Sequence, residues 1–494
     1  MGEEPAGNIK AVARWAEFAE DATWHTRVGE VLYDAGYHSN SISEFQAAIE
    51  LDPRLWRARS GLAWVYSEQG RWAEAVDAME KCLEVFEEDE NIMTQEREKY
   101  IWCLSWLSRW RIILGEKAEA LKSYEQAFEL SPRDYSLATW VFRLLTEMKE
   151  YEKAMSRLVK MKHDIIPSLG YSRLTEMCIF WANNNIDPFA GITAAARATD
   201  NIDMIRDLLS HSVKIARKHA KTTASLALQM NLGLLLFREY DDEPNGIGLW
   251  RSVLENSGFA KPGSPSYRVR YNAAEELCRV YADRAVFATP DSSEFATAVE
   301  RLEDLLKMLN KKSQRCRTWG QNSEEWGHGA TQAVMLTLGM LYRLSGRNTE
   351  AHDMFVPHIR LGIDLLSDDD PENDWIAYSK LAKVFIHAGD ETNFQAALTA
   401  PPKWVRCDGV CGLSVATAVG YSSCKFCINM DFCENCLALL KKDELPAKRC
   451  SPKHQFFRRR TPETPPPRGI ILMGEEEMTV QEWLWSIKRA WGLQ

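Results

Sequence analysis

Apolar and small residues in this chain return at an interval of 34. Val28, Gly29, Leu32, Gly36, Phe45 and Ala48 recur as Leu62, Ala63, Tyr66, Gly70, Met79 and Cys82. From about residue 8 to residue 400 the apolar period is also close to 3.6, with scarcely a strand signal, so the repeating unit is a pair of helices. The same offsets return at Leu107, Leu114, Gly115, Ala120, Tyr124, Ala127 and Pro132, then at Val141, Phe142, Leu145, Ala154, Leu158 and Met161. A later copy holds Leu338, Gly339, Tyr342, Gly346, Ala351 and Phe355, and a degenerate one Leu381, Ala382, Phe385, Gly389 and Leu398. In each unit a small residue lets the second helix approach the first, a glycine turns the chain, and large apolar residues fill the gap to the next hairpin.

This pattern resembles the tetratricopeptide repeat, which implies an all-α helical-repeat superhelix whose grooves bind peptides or proteins. The expected organisation is a repeat array over 1–162, longer irregular helical hairpins over 163–330, further repeats over 331–400, a zinc module over 401–460, and a Pro-rich spacer with a terminal helix over 461–494. The phase breaks at EEDENIMTQEREK, at SDDDPEND, and at DDEPNGIG, where a tight turn is missing from the pattern. A carboxylate clamp of the kind some such arrays use for chaperone tails is disfavoured, because Thr26 and Glu30 occupy the first unit's equivalent places.

Composition sets further limits. The 494 residues are 45% hydrophobic and 26% charged, as in soluble folded proteins, and no stretch approaches the roughly 18 apolar residues of a membrane span. MGEEPAGNIK has no basic start followed by an apolar core, so a cytoplasmic or nuclear location and no membrane partner are expected. A net charge of -10 leaves no broad basic face and disfavours nucleic acid as a partner. The chain holds no GxxxxGK, HExxH or GxSxG motif, and His211, His219, His352 and His358 stand without a paired acid or ligand spacing, so no enzymatic role is expected.

Seven of the twelve cysteines fall between residues 407 and 450, whereas Cys82, Cys103, Cys178, Cys278 and Cys316 are scattered as small core residues are. The clustered ones with His454 read C-x3-C, twelve residues, C-x2-C, five residues, C-x2-C, thirteen residues, C-x3-H. Four such pairs imply two zinc ions, each held by four protein donors. Sequential pairing is one arrangement. The short CINMDFC link favours alternation, with Cys407, Cys411, Cys433 and Cys436 on one ion and Cys424, Cys427, Cys450 and His454 on the other. Both sites are closed, so two structural zinc ions are the expected cofactors rather than a catalytic one.

The stretch resembles the ZZ-type zinc finger in Cys407 and Asp408, in Cys424 and Cys427, and in the run Asp431, Phe432, Cys433 and Cys436. It departs from that family in its three-residue first spacing and in Cys450, where histidine is usual. The resemblance implies peptide or protein-tail binding, with Asp408 the candidate for contact with a peptide amine. Beside the cluster, Lys441, Lys442, Lys448, Arg449, Lys453, Arg458, Arg459 and Arg460 form a basic strip that fits nucleic acid or an acidic protein surface, and equally a solvated flank or partial neutralisation of the thiolates.

After TPETPPPRG, the segment TVQEWLWSIKRAWG reads as one capped helix, with Thr479 and Glu482 at its start and Trp483, Ile487 and Trp491 on one face. So much aromatic area is expected to pack back on the repeats or the zinc module. Trp102, Trp106 and Trp110 lie one turn apart, either as core between hairpins or as the wall of a groove, and Trp64 and Trp72 share that ambiguity. The repeats, WVRCDGVCG, the Pro-rich spacer and EWLWSIKRAWG together resemble the C-terminal half of fungal STAND-type NACHT-tetratricopeptide proteins, in which repeats sense a ligand and a nucleotide-binding domain switches state. The chain contains no such domain and would be a stand-alone relative or a fragment. The expected function is a protein-interaction scaffold or sensor with a structural zinc module. The alternative is a nucleic-acid-binding or ubiquitin-pathway component that uses the zinc module for recognition. Oligomeric state is left open.

Overall fold

In the computed structural model, which describes residues 21–184, 186, 188–256, 264–314, 329–368, 374–399, 405–409, 414–415, 421–428, 430–445, 450–459, 466–467, 469–474 and 476–493, two compact units divide the chain at 1–159 and 160–494. Cys411, Cys316, Lys448, Arg449 and Arg460 lie outside the described residues.

The first unit is built on α1 (Ala22–Asp34), α2 (His38–Leu51), α3 (Trp56–Glu68), α4 (Trp72–Glu88), α5 (Glu90–Gln95), α6 (Arg97–Ile113), α7 (Lys117–Leu130), α8 (Tyr135–Glu147) and α9 (Tyr151–His163). Its hairpins turn the same way each time. Gly36, Gly70 and Gly115 take φ of 79°, 71° and 83°, and the next amide in each case bonds back across the helix end, as Tyr37 N–H does to the Leu32 carbonyl at 2.8 Å. Lys149 holds the equivalent place in the fourth hairpin with φ 62°. The acidic insertion becomes α5, capped by Asp89, whose side chain accepts the amides of Asn91 and Ile92.

Small residues allow the helices to close up. A Cβ on Gly61 of α3 would lie 2.4 Å from the ring of Phe45, and one on Gly29 of α1 would lie 2.8 Å from it, so the buried Phe45 of α2 is wedged between two glycines. Gly61→Ala should therefore cost about 1–3 kcal/mol in denaturant unfolding, because the ring cannot leave a fully packed site. Gly248, whose Cβ would meet nothing within 4 Å, is the contrasting helical glycine, and Gly248→Ala should stabilise by up to about 1 kcal/mol.

In the second unit a short ladder, β1 (Ile165–Ile166) with β2 (Tyr171–Ser172), precedes α10 (Arg173–Asn183), α11 (Phe189–Ala198), α12 (Ile202–Lys218), α13 (Thr222–Glu239), α14 (Glu243–Asn256), α15 (Pro265–Phe287), α16 (Ser293–Gln314), α17 (Gly329–Leu344), α18 (Asn348–Leu365), α19 (Asp374–Ala388) and α20 (Glu391–Thr399). Within 163–330 the described hairpins use the same left-handed turn as the first unit. Asp200 and Ala220 adopt φ of 55° and 53°, and the amides after them close the same helix-end bonds, from Asn201 to Ala196 and from Lys221 to Ala216. At DDEPNGIG a tight turn is present after all: Asp241 takes φ 54° and α14 begins at Glu243. Gly233 then does in α13 what Gly29 does in α1, since its Cβ would fall 2.6 Å from Trp250 Nε1, which donates to the Met230 carbonyl at 3.2 Å.

The chain continues through β3 (Val405–Arg406), β4 (Ser414–Val415), β5 (Tyr421–Cys424), β6 (Asp431–Cys433), α21 (Glu434–Lys441) and β7 (Phe456–Arg458), then β8 (Ile470–Met473), β9 (Glu476–Thr479) and α22 (Val480–Ala490). The fold is thus an all-α tetratricopeptide-like repeat with a C-terminal Cys/His module and a terminal helix. The β8–β9 hairpin, turned by Gly474 at φ 72°, was not anticipated. No helix among the described residues is long and apolar enough to cross a membrane.

Candidate metal centre

The module's frame is a three-stranded antiparallel sheet in the order β6, β5, β7. The end of β5 and the turn after it supply Cys424 and Cys427, and the end of β6 and the first turn of α21 supply Cys433 and Cys436. Because β5 and β6 are adjacent and joined by a short link, the two pairs leave the sheet in opposite directions and join different clusters.

Cys424, Cys427, Cys450 and His454 converge in one cluster, and Cys407, Cys433 and Cys436 in a second. The two groups alternate along the chain, and Cys411, expected with the second group, lies outside the described residues. In the complete cluster the sulfurs of Cys427 and Cys450 are 3.8 Å apart and those of Cys424 and Cys450 3.6 Å. His454 Nδ1 lies 3.5, 3.4 and 3.3 Å from Cys424, Cys427 and Cys450. All four side chains are buried. Four donors so close, without a disulfide among them, form a tetrahedron that one metal ion can fill.

Backbone amides turn towards the sulfurs. Phe426 and Cys427 N–H point at Cys424 Sγ at 3.4 and 3.3 Å, while Gly409 and Cys433 N–H point at Cys407 Sγ at 3.4 and 3.3 Å. Such donors favour thiolate over thiol. Burial opposes charge on Cys424, yet hydrogen bonds from Cys427, Cys450 and His454 hold its thiol well below the usual value. The same sharing with Cys424 and Cys450 pushes Cys427 up. Burial likewise works against a charged His454, but Asp283 and the neighbouring sulfurs outweigh it and raise the imidazole to about 11. Because thiolates and a neutral imidazole are the ligating forms, metal binding at such a cluster releases protons. Gly409 had no assigned role in the sequence. A Cβ there would lie 2.5 Å from Cys436 Sγ, so only glycine fits the turn.

Asp408 ties the first turn to β6: its amide donates to the Asp431 carbonyl and its Oδ2 accepts the Asp431 amide, both at 2.8 Å. It also borders a cavity of about 340 Å³ lined by Met230, Arg238, Tyr271, Glu275 and Met430 among others. Three residues of the basic strip are engaged within the module. Lys441 donates to the carbonyls of Pro452 and His454 at 2.9 and 2.7 Å, Arg459 pairs with Asp431 at 2.9 Å, and Arg458 pairs with Glu434.

The module and the tail both rest on α20. Phe394 meets Phe457 edge to face at 4.9 Å, Gln395 donates to the Arg458 carbonyl at 3.1 Å, and Glu391 pairs with Lys425. Asn393 Oδ1 accepts from Trp483 Nε1 of α22 at 2.8 Å. The capping box at Thr479 and Glu482 is present, and the helix packs back as expected, with Trp483 and Ile487 buried.

In the first unit the tryptophans form a ladder across first helices of successive hairpins. Trp64 of α3 lies 5.5, 4.5 and 5.6 Å from Trp102, Trp106 and Trp110 of α6. Arg109 stands over Trp106 at 4.3 Å and over Trp140 of α8 at 6.0 Å, and Arg143 lies 5.2 Å from Trp140. Trp110 is core, Trp102 is 39% exposed, and Trp64, Trp106 and Trp140 are half-buried with Arg109 and Arg143 exposed beside them.

Tetratricopeptide-repeat profiles match at residues 57–88 and 107–134, so the tetratricopeptide reading holds for α3 with α4 and for most of the α6–α7 hairpin. No curated protein matches the chain in sequence. Among solved structures it is similar to YrrB, described as a TPR protein with an unusual peptide-binding site, at 19% identity over 44% of this chain and 96% of that one, with a TM-score of 0.31. It is also similar to Naa15/Naa10 bound to HypK-THB at 13% identity, with a TM-score of 0.27, over 76% of this chain and 62% of that one.

Proposed function

We propose that this protein is an interaction scaffold or sensor that grips an extended segment of a partner protein on the first helices of its N-terminal repeats, while two zinc ions hold its C-terminal module in shape. Helical repeats of this kind offer grooves suited to protein or peptide binding rather than to catalysis. The observation that carries the reading is the ladder of Trp64, Trp102, Trp106 and Trp140 with Arg109 and Arg143. Half-exposed indoles with guanidinium groups stacked on them suit apolar or proline side chains interrupted by a carboxylate.

Zinc is supported by the donor set and its size. Bonds of about 2.3 Å to sulfur and about 2.0–2.1 Å to nitrogen place tetrahedral donors about 3.8 Å apart between sulfurs and about 3.6 Å between sulfur and nitrogen. The observed spacings run from 3.3 to 3.8 Å. Cys411 is the proposed fourth ligand of the other ion. The resemblance to receptor-type repeat proteins fits a sensor whose output lies in another domain or partner. The nucleic-acid alternative is weakened because Lys441, Arg458 and Arg459 of the basic strip are paired within the module.

The test compares affinity capture from the source cell by the native chain and by a Trp102→Ala, Trp106→Ala, Arg109→Ala variant, with circular dichroism to confirm the helices. Partners held by the native chain should be reduced at least tenfold with the variant. Equal capture by both would remove the ladder as the binding surface.

A further inference from the structure

His454 has a second nitrogen, and it faces away from the sulfurs. Nε2 lies 3.0 Å from Oδ1 of Asp283, on α15 of the helical array. Both atoms are buried, and neither makes an aligned hydrogen bond, so the 3.0 Å ion-pair contact is what the structure gives each of them. One turn further along α15, Phe287 stacks on the imidazole at 5.6 Å and 18°, and Lys453 sits over Phe287 at 5.9 Å. Phe426 closes the other side of the ring at 5.2 Å. The imidazole is thus held by the module's sulfurs at one nitrogen and by a helix of the array at the other.

The geometry points to Asp283 as an outer-sphere positioning residue of the metal site, through which the His454 ion fastens the module to α15. This rests on the reading of the Cys424, Cys427, Cys450 and His454 donors as a zinc site. When Nδ1 binds the ion it carries no proton, so the ring's remaining proton sits on Nε2, 3.0 Å from the Asp283 carboxylate, which a small turn of the Asp283 side chain would let accept it. A carboxylate there fixes the tautomer and ring orientation and makes Nδ1 a better ligand. Linkage makes the effect mutual: docking on α15 tightens the metal, and the metal tightens docking. Nothing in the linear sequence marks Asp283, since it sits far from the cysteine cluster on a helix that otherwise reads as ordinary repeat.

The experiment is zinc release from the full chain into a chromogenic chelator, with total zinc measured by elemental analysis. The native chain should hold two ions. Asp283→Ala should release one of them with an affinity about 10–100-fold weaker, while the ion at Cys407, Cys433 and Cys436 leaves as in the native chain. Asp283→Asn, which keeps the shape and an acceptor oxygen but not the charge, should fall between the two. Limited proteolysis should show the zinc module cut faster in Asp283→Ala at zinc concentrations where the native chain is protected. Unchanged release of both ions would overturn the proposal, as would equal weakening of both, which would signal general destabilisation. A native chain lacking the second ion would instead overturn the zinc reading beneath it.

Discussion

Cys427→Ser should lower the zinc content from two ions per chain to one and leave residues 401–460 open to protease, while the helical signal of the array persists. Cys427 is buried at 2% exposure and stands 3.8 Å from Cys450 Sγ and 3.4 Å from His454 Nδ1, so its loss removes one of four donors from a closed tetrahedron. A serine hydroxyl keeps its proton near neutral pH and cannot replace a thiolate. The apolar content of the module beyond its cysteines is small. Tyr421, Ile428, Phe432, Leu440 and Leu445 are buried members, with Phe426, Met430, Leu437, Leu439 and Phe456 partly buried around them. Structural zinc contributes about 10–16 kcal/mol in comparable small modules, more than such a core can supply. The change should therefore cost the module most of its fold rather than loosen one loop. Elemental analysis and limited proteolysis read both effects. Two ions retained with unaltered resistance would mean that Cys427 is not a ligand.

Much of this architecture was legible because it rests on local rules. A glycine at positive φ and a small residue opposite a large one leave marks at fixed intervals, so Gly36, Gly70 and Gly115 and the pairs Gly29 with Phe45 and Gly339 with Phe355 could be found by spacing. The alternation of the cysteine pairs has a similarly local basis, since five residues after Cys427 bring the chain back along β5, so that Cys424 and Cys433 lie towards opposite ends of the ladder. The turns of the middle hairpins were hidden because Asp200, Ala220 and Asp241 adopt the left-handed region without being glycine. Aspartate tolerates it better than most residues, and alanine only under tertiary constraint.

What stayed illegible is the docking. Asp283 and Asn393 each serve a residue far along the chain, and neither stands in a recurring pattern. Residues 375–398, α19 with α20, looked like a degenerate last repeat, and the departure has a structural reason in α20, which receives Phe457 and Lys425 from the module and Trp483 from the tail. The module is accordingly a packed part of the second unit rather than a reader on a tether. Any ligand of its Asp408 side must fit between β6 and the helices that border the same cavity.

Trp483→Ala should be the most destabilising single change in the C-terminal tail, at about 3–5 kcal/mol. Trp483 is fully buried, stacks on Tyr378 at 6.0 Å, meets Phe385 at 6.3 Å, and donates its Nε1–H to Asn393 at 2.8 Å. Truncation would leave a large cavity against α19 and deprive Asn393 of a partner, and an 11-residue helix has little stability of its own without that contact. Trp483→Phe keeps much of the ring volume and drops the donor, so it should lose less, with about 1 kcal/mol of the loss due to the hydrogen bond. Trp485, two residues on, is 60% exposed and covered only by Arg489, so Trp485→Ala should change stability by no more than about 0.5 kcal/mol. Denaturant unfolding of the three variants separates packing, hydrogen bonding and helix propensity. If Trp483→Ala cost no more than Trp485→Ala, α22 would not be docked in solution, and α20 would lose half of its role as the support for both the metal module and the tail.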